Sequence, residues 1–280
     1  MKADIRTFDF KTLPIEIEVK DIKFVKELPK LLGQPHKAAF YQILWLTAGK
    51  ATFRIDFREI SVNANEALLI GAGQVCEFDV VSEYAGRLIL FTGDFFTVTE
   101  LDANFLHTSE VLNPLHLNQT VPVCPEFAGN LITLLEGELR QPSDAFQPGI
   151  AQSYLRVILL ETERRLTASY PPVVNQVVRK FYHAVEQHFK ENRNTAYYVR
   201  LLGVNEKALS KEVKTLTGST PKVYIDSRVI LEAKRLLSYS NLSAKEIGFV
   251  LGFDEPTNFS KYFRKHTGIT PVQFRDSAKK

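Results

Sequence analysis

A pattern near the C-terminus occurs twice, and this repeat restricts the fold more than any other feature of the sequence. The stretch "LSKEVKTLTGSTPKVY", which begins at Leu209, aligns with "FSKYFRKHTGITPVQF", which begins at Phe259. Both stretches contain Ser-Lys, then a basic residue, Thr-Gly, Thr-Pro and an aromatic residue at matching positions. An internal repeat of this kind indicates that one structural unit is used twice.

Each copy has the pattern of a short helix, a turn and a second helix. Upstream of the shared motif, "VRLLGVNEKAL" matches "GFVLGFDEPTNF" with one extra residue in the second turn. Gly203 and Gly252 suit the end of the first helix, since glycine adopts the left-handed conformation at little cost. Asn205 and Asp254 are predicted to cap the second helices. The copies therefore predict a tandem helix-turn-helix.

The second helix of each copy is predicted to have two different faces. Leu209 and Val213 in one copy, and Phe259 and Phe263 in the other, recur at helical spacing and predict a buried stripe. The remaining positions are mostly basic or short and polar. Such side chains can reach base edges from a helix in the major groove. Three cations near the helix ends are predicted to contact phosphates: Lys214, Arg264 and Lys265.

Charge is distributed unevenly along the chain, although the total is only +3. Residues 173–280 contain 19 Lys/Arg and 10 Asp/Glu, a net charge of +9, and residues 1–172 contain 16 and 22, a net charge of −6. A basic C-terminal third favours a polyanionic partner. A chance asymmetry with ordinary basic surface helices is the alternative.

The N-terminal part is predicted to be a small sandwich or barrel of short strands over residues 1–125. Alternating apolar segments such as "FYQILWLTAGKATFRIDFREI" are interrupted by glycines, and Ala48-Gly49-Lys50 is predicted to be a hairpin-like turn. The period becomes helical over residues 126–170, in "FAGNLITLLEGELR" and "GIAQSYLRVILLETERRL". Pro171-Pro172 cannot continue a helix, so a domain boundary is predicted there, before a helical domain at 173–280.

The two helices of residues 126–170 have two possible roles, and the sequence leaves both open. Their apolar faces can cover the barrel. The second helix, at residues 147–167, can also form the seam of a homodimer.

The C-terminal repeat resembles the AraC/XylS family of bacterial transcription regulators. The resemblance covers about 100 residues and rests on "RVILEAKRLL", "EIGFVLGF" and "NFSKYFRKHTGITPVQFR". A weaker resemblance to the cupin-like arm of this family lies in "PHKAAFYQILWLTAGK" and "EALLIGAGQ". The implied fold is a two-domain α+β protein: an N-terminal cupin-like β-barrel with flanking helices, and a C-terminal all-α, homeodomain-like tandem helix-turn-helix.

The resemblance also implies partners and roles for individual residues. Double-stranded promoter DNA, a small-molecule effector in the barrel, a second copy of the chain and RNA polymerase are the implied partners. Family members read bases with the first residues of each second helix. Carried over to this sequence, the base-reading residues are Lys207, Ser210, Lys211, Thr257, Asn258, Ser260 and Lys261. Glu206 and Pro256 depart from this pattern. Glu206 repels phosphate, although it can accept from a cytosine amine, and Pro256 offers no donor.

A metal-dependent cupin enzyme with an accessory DNA-binding tail is an alternative that the sequence disfavours. Cupin metal sites need several ligands, whereas His36 stands alone, and Gln74, Val75 and Cys76 occupy the place of the second motif. His183 and His188 are five residues apart, so a helix turns them away from each other. We therefore expect no catalytic residues, no metal and no cofactor.

Aromatic and basic residues in the strands are candidates for holding an effector inside the barrel. They are His36, Tyr41, Trp45 and Arg54. Ordinary core packing is the alternative for Tyr41 and Trp45, and a regulator whose barrel serves only for dimerisation is the alternative for the domain as a whole.

The location of the protein is predicted from what the sequence lacks. The sequence has no apolar run long enough to cross a membrane and no apolar signal-peptide core near its start. The two cysteines, Cys76 and Cys124, are expected to be thiols. A cytoplasmic protein is the expectation.

Overall fold

The computed structural model describes residues 5–99, 102, 105, 106, 109, 112, 120–169 and 176–278. The chain divides into two compact units, Arg6–Pro172 and Val173–Lys280, the second together with Met1–Ile5. Pro171-Pro172, the predicted boundary, lies outside the described residues.

The N-terminal unit, called the barrel unit below, is built on a curled, largely antiparallel sheet. Its described strands are β1 (Arg6–Phe8), β2 (Ile17–Asp21), β3 (His36–Ala38), β4 (Tyr41–Ile55), β5 (Arg58–Asn63), β6 (Glu66–Ile70), β7 (Val75–Glu77), β8 (Tyr84–Phe91) and β9 (Val121–Pro122). Short helices and two longer ones accompany them: α1 (Lys23–Glu27), α2 (Pro29–Leu32), α3 (Gly93–Phe96), α4 (Pro125–Leu139) and α5 (Gln147–Ser169).

Strand β4 joins the two halves of this sheet. Its first part pairs with β6 and β8, and its second part pairs with β5 and β7. The register shifts between Leu46 and Ala48, as at a β-bulge, which bends a strand. The prediction of a turn at Ala48-Gly49-Lys50 is therefore wrong, because β4 continues through these residues. The chain turns instead at Asp56 and Phe57.

Both faces of β4 are buried in its first part, up to Leu46, which explains the continuous apolar run there. Ile43 and Trp45 pack into a cluster with α4 and α5, whereas Leu44 and Leu46 join a second cluster inside the curl of the sheet. Successive strand side chains point to opposite faces, so one strand contributes to both cores.

Helices α4 and α5 cover the first of these clusters. Helix α5 buries Ala151, Leu155 and Leu159. Its other apolar residues are less buried, and Ile150 and Val157 are exposed. The helix pair therefore has apolar residues on an outer face as well.

The C-terminal unit is all-helical in its described part. Its helices are α6 (Gln176–His188), α7 (Thr195–Leu202), α8 (Glu206–Thr217), α9 (Pro221–Tyr239), α10 (Ala244–Val250), α11 (Pro256–Thr267) and α12 (Pro271–Ser277). None of the described helices in either unit has the length and apolar content needed to cross a membrane.

The repeated Thr-Gly-x-Thr-Pro motif ends one helix and starts the next in both copies. Gly218 closes α8 and Gly268 closes α11, each with a positive φ. Thr220 then caps α9 through a hydrogen bond from the Val223 amide, and Thr270 caps α12 in the same way. The prolines that follow occupy the first helical turn, where a missing N–H costs nothing.

In the barrel unit, Gln74 and Asp56 form a buried polar pair. Gln74 donates through Nε2 to Asp56 Oδ2 over 2.9 Å and accepts from the Gly71 amide over 2.7 Å. The Val75 amide donates to Asp56 Oδ1 over 3.2 Å. Asp56 adopts a positive φ of 54° in the turn after β4. These side chains therefore hold the β4–β5 turn against the start of β7.

We expect Asp56→Gly to lower the free energy of unfolding by about 1–3 kcal/mol, because two buried donors lose their acceptor. Asn65→Gly is the matched control, since Asn65 also has a positive φ, of 64°, but its side chain is exposed. Urea unfolding followed by the fluorescence of Trp45, the single tryptophan of the chain, measures both. Equal effects of the two substitutions would contradict a role for the Asp56 carboxylate.

Candidate functional site

In the first repeated unit, helices α7 and α8 are joined by a tight turn. Gly203 ends α7 with a φ of 61°. Asn205 caps α8 by accepting from the Lys207 and Ala208 amides over 2.8 and 3.4 Å. The predicted cap at Asn205 is therefore confirmed. Leu209 and Val213 of α8 are fully buried and hold the helix against the unit.

The second unit repeats this arrangement with α10 and α11, but its cap differs. Glu255 is the N-cap residue of α11, and its side chain makes no capping hydrogen bond. The prediction that Asp254 caps this helix is therefore wrong. Pro256 follows at the first helical position and fixes the backbone there. Glu255 Oε2 instead accepts from the Thr257 hydroxyl over 3.3 Å.

The outer faces of α8 and α11 are basic and polar. The predicted base-reading residues Lys207, Lys211, Thr257, Asn258 and Lys261 are exposed, and Ser210 and Ser260 are partly buried. The predicted phosphate contacts Lys214, Arg264 and Lys265 are also exposed. In α11, Phe259 and Phe263 are fully buried on the opposite side. Each helix therefore has its polar face toward solvent and its apolar face packed against the rest of the unit.

Asp226 of α9 fixes the position of α11. This carboxylate is buried, and it accepts from Tyr262 Oη over 2.6 Å and from Lys222 Nζ over 2.5 Å. His266 Nε2 lies 3.6 Å from its second oxygen. Burial, followed by the Asp226 hydrogen bond and charge, raises the pKa of Tyr262, so the hydroxyl remains a donor.

Arg193 connects the end of the α6 segment to the turn of the second unit. Its Nη1 and Nη2 atoms donate to the carbonyl oxygens of Leu251 and Gly252 over 2.6 and 2.8 Å. The guanidinium also lies 3.9 Å from the centre of the Phe253 ring. The roles of Arg193 and Asp226 are not evident from the sequence, because Leu251, Gly252 and Tyr262, which they contact, are distant in the chain.

In the barrel unit, a cavity of about 230 Å³ opens inside the curl of the sheet. Its wall is mostly apolar and includes the five rings of Phe8, Phe10, Phe24, Phe40 and Phe78. His36 and Gln42 also line it, and both are buried. Burial lowers the pKa of His36, although a hydrogen bond between Nδ1 and the Gln34 carbonyl opposes this effect. His36 is therefore neutral near pH 7.

The four residues predicted to hold an effector are not brought together. His36 faces the cavity. Tyr41 stacks on Phe91 and Trp45 is buried in the helix-covered cluster, on the other face of β4. Arg54 is half exposed and forms ion pairs with Glu59 and Glu77. The sequence does not show on which face of the sheet each of these side chains lies. Only the structure shows that they lie in different places.

The described residues contain no group of three or more His, Cys, Asp or Glu side chains that could hold a metal ion. Cys76 and Cys124 are thiols. His183 lies in α6, and burial, followed by the charge of His188, lowers its pKa.

The fold and the two exposed basic helices define a protein of the helix-turn-helix class. A family model described as a helix-turn-helix domain matches residues 198–277, and one described as an AraC-like ligand binding domain matches residues 29–159. The chain therefore belongs to the AraC family of transcription regulators.

Proteins with similar sequences are also named as transcription regulators. An uncharacterized HTH-type transcriptional regulator, YisR of Bacillus subtilis, is 32% identical over 91 residues, 32% of each chain. The HTH-type transcriptional activator RhaR of an Enterobacter species is 34% identical over 76 residues, 27% of each chain. These matches span about a third of the relatives' length. The solved structure of ToxT from Vibrio cholerae is 13% identical, with a TM-score of 0.46, and the alignment covers 93% of this chain and 98% of ToxT.

We expect Gly252→Ala to destabilise the C-terminal unit more than Gly203→Ala, although both glycines end the first helix of a copy. Alanine at a positive φ costs about 1–2 kcal/mol at either site. At Gly252, a Cβ atom would also lie 2.1 Å from the Lys190 carbonyl oxygen, whereas at Gly203 it would meet nothing within 4 Å. Crowding of this kind adds about 1–3 kcal/mol.

Thermal unfolding followed by helical circular dichroism measures the two variants. Gly203→Ala is the control for the backbone strain alone. Equal melting temperatures would show that the Lys190 segment moves aside without cost.

Proposed function

We propose that this protein is a sequence-specific transcription regulator in which α8 and α11 read two successive major-groove segments of promoter DNA. The observation that carries the proposal is the pair of matched second helices, each with buried apolar residues and an exposed basic face. Major-groove segments on one face of DNA repeat about every 34 Å. Helix α9 connects the copies and gives them a common support, so both can bind one DNA molecule.

The exposed residues of the two helices have two kinds of role in this proposal. Side chains near each helix start contact base edges: Lys207, Ser210, Lys211, Thr257, Asn258, Ser260 and Lys261. Cations near each helix end contact phosphates: Lys214, Arg264 and Lys265. Base contacts specify sequence, whereas phosphate contacts add affinity that depends on salt.

The barrel is proposed to regulate DNA binding through a small molecule held in the cavity beside His36. The match to an AraC-like ligand binding domain supports this role. The named relatives are transcription regulators, which favours a regulator over an enzyme. A regulator of bacterial promoters acts in the cytoplasm, and RNA polymerase is its natural further partner.

A homodimer is proposed to form through the outer face of α5, the helix that contains residues 147–167. Phe127 and Leu134 of α4 are exposed, and so are Ile150, Val157 and Leu160 of α5. Spacings of seven and three residues place each set on one side of its helix. Exposed apolar rows of this kind favour association with another protein surface.

We expect Lys261→Ala and Arg264→Ala to weaken DNA binding in different ways. Loss of a base contact at Lys261 should cost about 1–3 kcal/mol at particular base pairs and leave other sequences less affected. Loss of a phosphate contact at Arg264 should weaken binding to all sequences alike. It should also reduce the slope of the logarithm of the binding constant against the logarithm of salt concentration by about one. Binding of the full chain to a promoter library at two salt concentrations measures both.

Lys245→Ala is a control, because this exposed lysine lies on α10, outside the two second helices. Identical profiles for Lys261→Ala and Arg264→Ala would contradict the division of roles. A wild-type protein without any sequence preference would contradict the proposed function.

We expect Val157→Asp to shift the protein from dimer to monomer in analytical ultracentrifugation, because a charge would be placed in the apolar seam. Val81→Asp is the matched control, since Val81 is exposed but lies outside α4 and α5. A dimer that persists in Val157→Asp would place the interface elsewhere.

A further inference from the structure

The size and wall of the barrel cavity restrict what it can hold. Its volume is about 230 Å³. A cavity of about 150 Å³ lined by Leu, Ile and Phe holds benzene, and pockets for drug-sized ligands begin at about 300 Å³. The cavity therefore suits one ring, or a short alkyl body, with a few further atoms. Aromatic walls favour a ring, because edge-to-face contacts add to apolar burial.

Two neutral polar side chains of this wall, those of His36 and Gln42, both belong to residues that neighbour Cys76. His36 pairs with Cys76 in the β3–β7 register, and Gln42 Nε2 lies 3.9 Å from Cys76 Sγ. Paired residues of antiparallel strands direct their side chains to the same face. Both His36 and Gln42 are at least nine-tenths buried, with 2% and 4% of their surfaces exposed.

Both side chains have hydrogen-bonding capacity left over within the described part of the chain. His36 Nδ1 is engaged with the Gln34 carbonyl, which makes Nδ1 the donor and leaves Nε2 as an acceptor. The carboxamide of Gln42 makes only the long sulfur contact, so it can both donate and accept. A buried polar group without a good partner is costly, and a bound hydroxyl would satisfy it.

The charges at the cavity wall already neutralise each other. Glu18 Oε1 lies 2.7 Å from Lys11 Nζ and 3.0 Å from Lys20 Nζ. Burial alone would raise the pKa of Glu18, but the hydrogen bonds and charges of the two lysines lower it. Asp9 adds a second carboxylate to the same wall. A ligand carboxylate would therefore have to compete with Glu18 for the two cations.

We propose that the barrel cavity binds a compact, uncharged ligand with one aromatic ring and a hydroxyl group, which His36 and Gln42 hold by hydrogen bonds. The phenyl-lined wall receives the ring, and the hydroxyl donates to His36 Nε2 or Gln42 Oε1 while it accepts from Gln42 Nε2. This inference rests on the proposed role of the barrel as an effector site and names the chemical class of the effector.

Isothermal titration of the full chain with four probes tests the proposal. The probes are 4-ethylphenol, ethylbenzene, 4-ethylbenzoate and a pentose. We expect 4-ethylphenol to bind at least about tenfold more tightly than 4-ethylbenzoate, because the apolar cavity penalises an unpaired carboxylate. The pentose should bind more weakly than 4-ethylphenol, since it has no apolar body to bury against the mostly apolar wall.

Two variants assign the binding to the cavity. Gln42→Leu should weaken 4-ethylphenol about three- to tenfold, the usual value of one neutral hydrogen bond, and should leave ethylbenzene unchanged. A merely structural effect of the substitution would weaken both probes. Arg54→Gln is the control, because Arg54 does not line the cavity, and it should change neither affinity.

Several results would overturn the inference. Tighter binding of 4-ethylbenzoate or of the pentose would refute the proposed ligand class and leave the effector role of the barrel intact. Saturation by none of the probes, in protein whose thermal unfolding is cooperative, would refute it as well. DNA binding is measured separately on the same protein, so a failure of the proposed regulator function is recognised independently of the ligand result.

Discussion

Burial of helix α9 is the constraint on which the C-terminal unit depends. Ile225, Val229 and Ala233 are fully buried along it, and Asp226 and Arg228 are buried polar residues on the same helix. Arg228 Nε contacts Glu186 of α6 at 2.8 Å, and Asp226 accepts from Tyr262 of α11. A buried charge is tolerated only when it is paired, so these contacts restrict how the neighbouring helices pack against α9. The second helices can therefore expose their basic faces without losing their position.

In the barrel unit, strand β4 has the corresponding role. It pairs with four other strands and contributes side chains to both cores. Because successive side chains of β4 point to opposite faces of the sheet, they also meet two different environments. Trp45 and Tyr41 pack under the helices, whereas Gln42 faces the cavity, one residue further along the strand than Tyr41. Two adjacent residues of β4 therefore have different roles: the side chain of one packs in the core, and the side chain of the next can contact a ligand.

Much of the tandem unit could be predicted because its signals are local. Gly203, Gly252 and Asn205 act within a few residues, and the buried stripes of α8 and α11 follow the helical period. The cap of α11 is not decided by local sequence, since Asp254 and Glu255 are adjacent acids and only the course of the backbone selects Glu255. On α9, Leu237 is buried whereas its neighbour Leu236 is only partly buried, because several helices pack against α9 from different directions.

The sequence by itself determined the repeat, the helix boundaries at Thr-Gly-x-Thr-Pro, the basic surface of the second helices and the change from strands to helices. These features depend on neighbours within one or two turns of chain. Only the tertiary structure decided that β4 passes through Ala48-Gly49-Lys50, that Asp226 and Arg193 hold the second unit, and that Gln42 joins His36 in a cavity. Their partners lie far away in sequence, so their contacts exist only after the chain has folded.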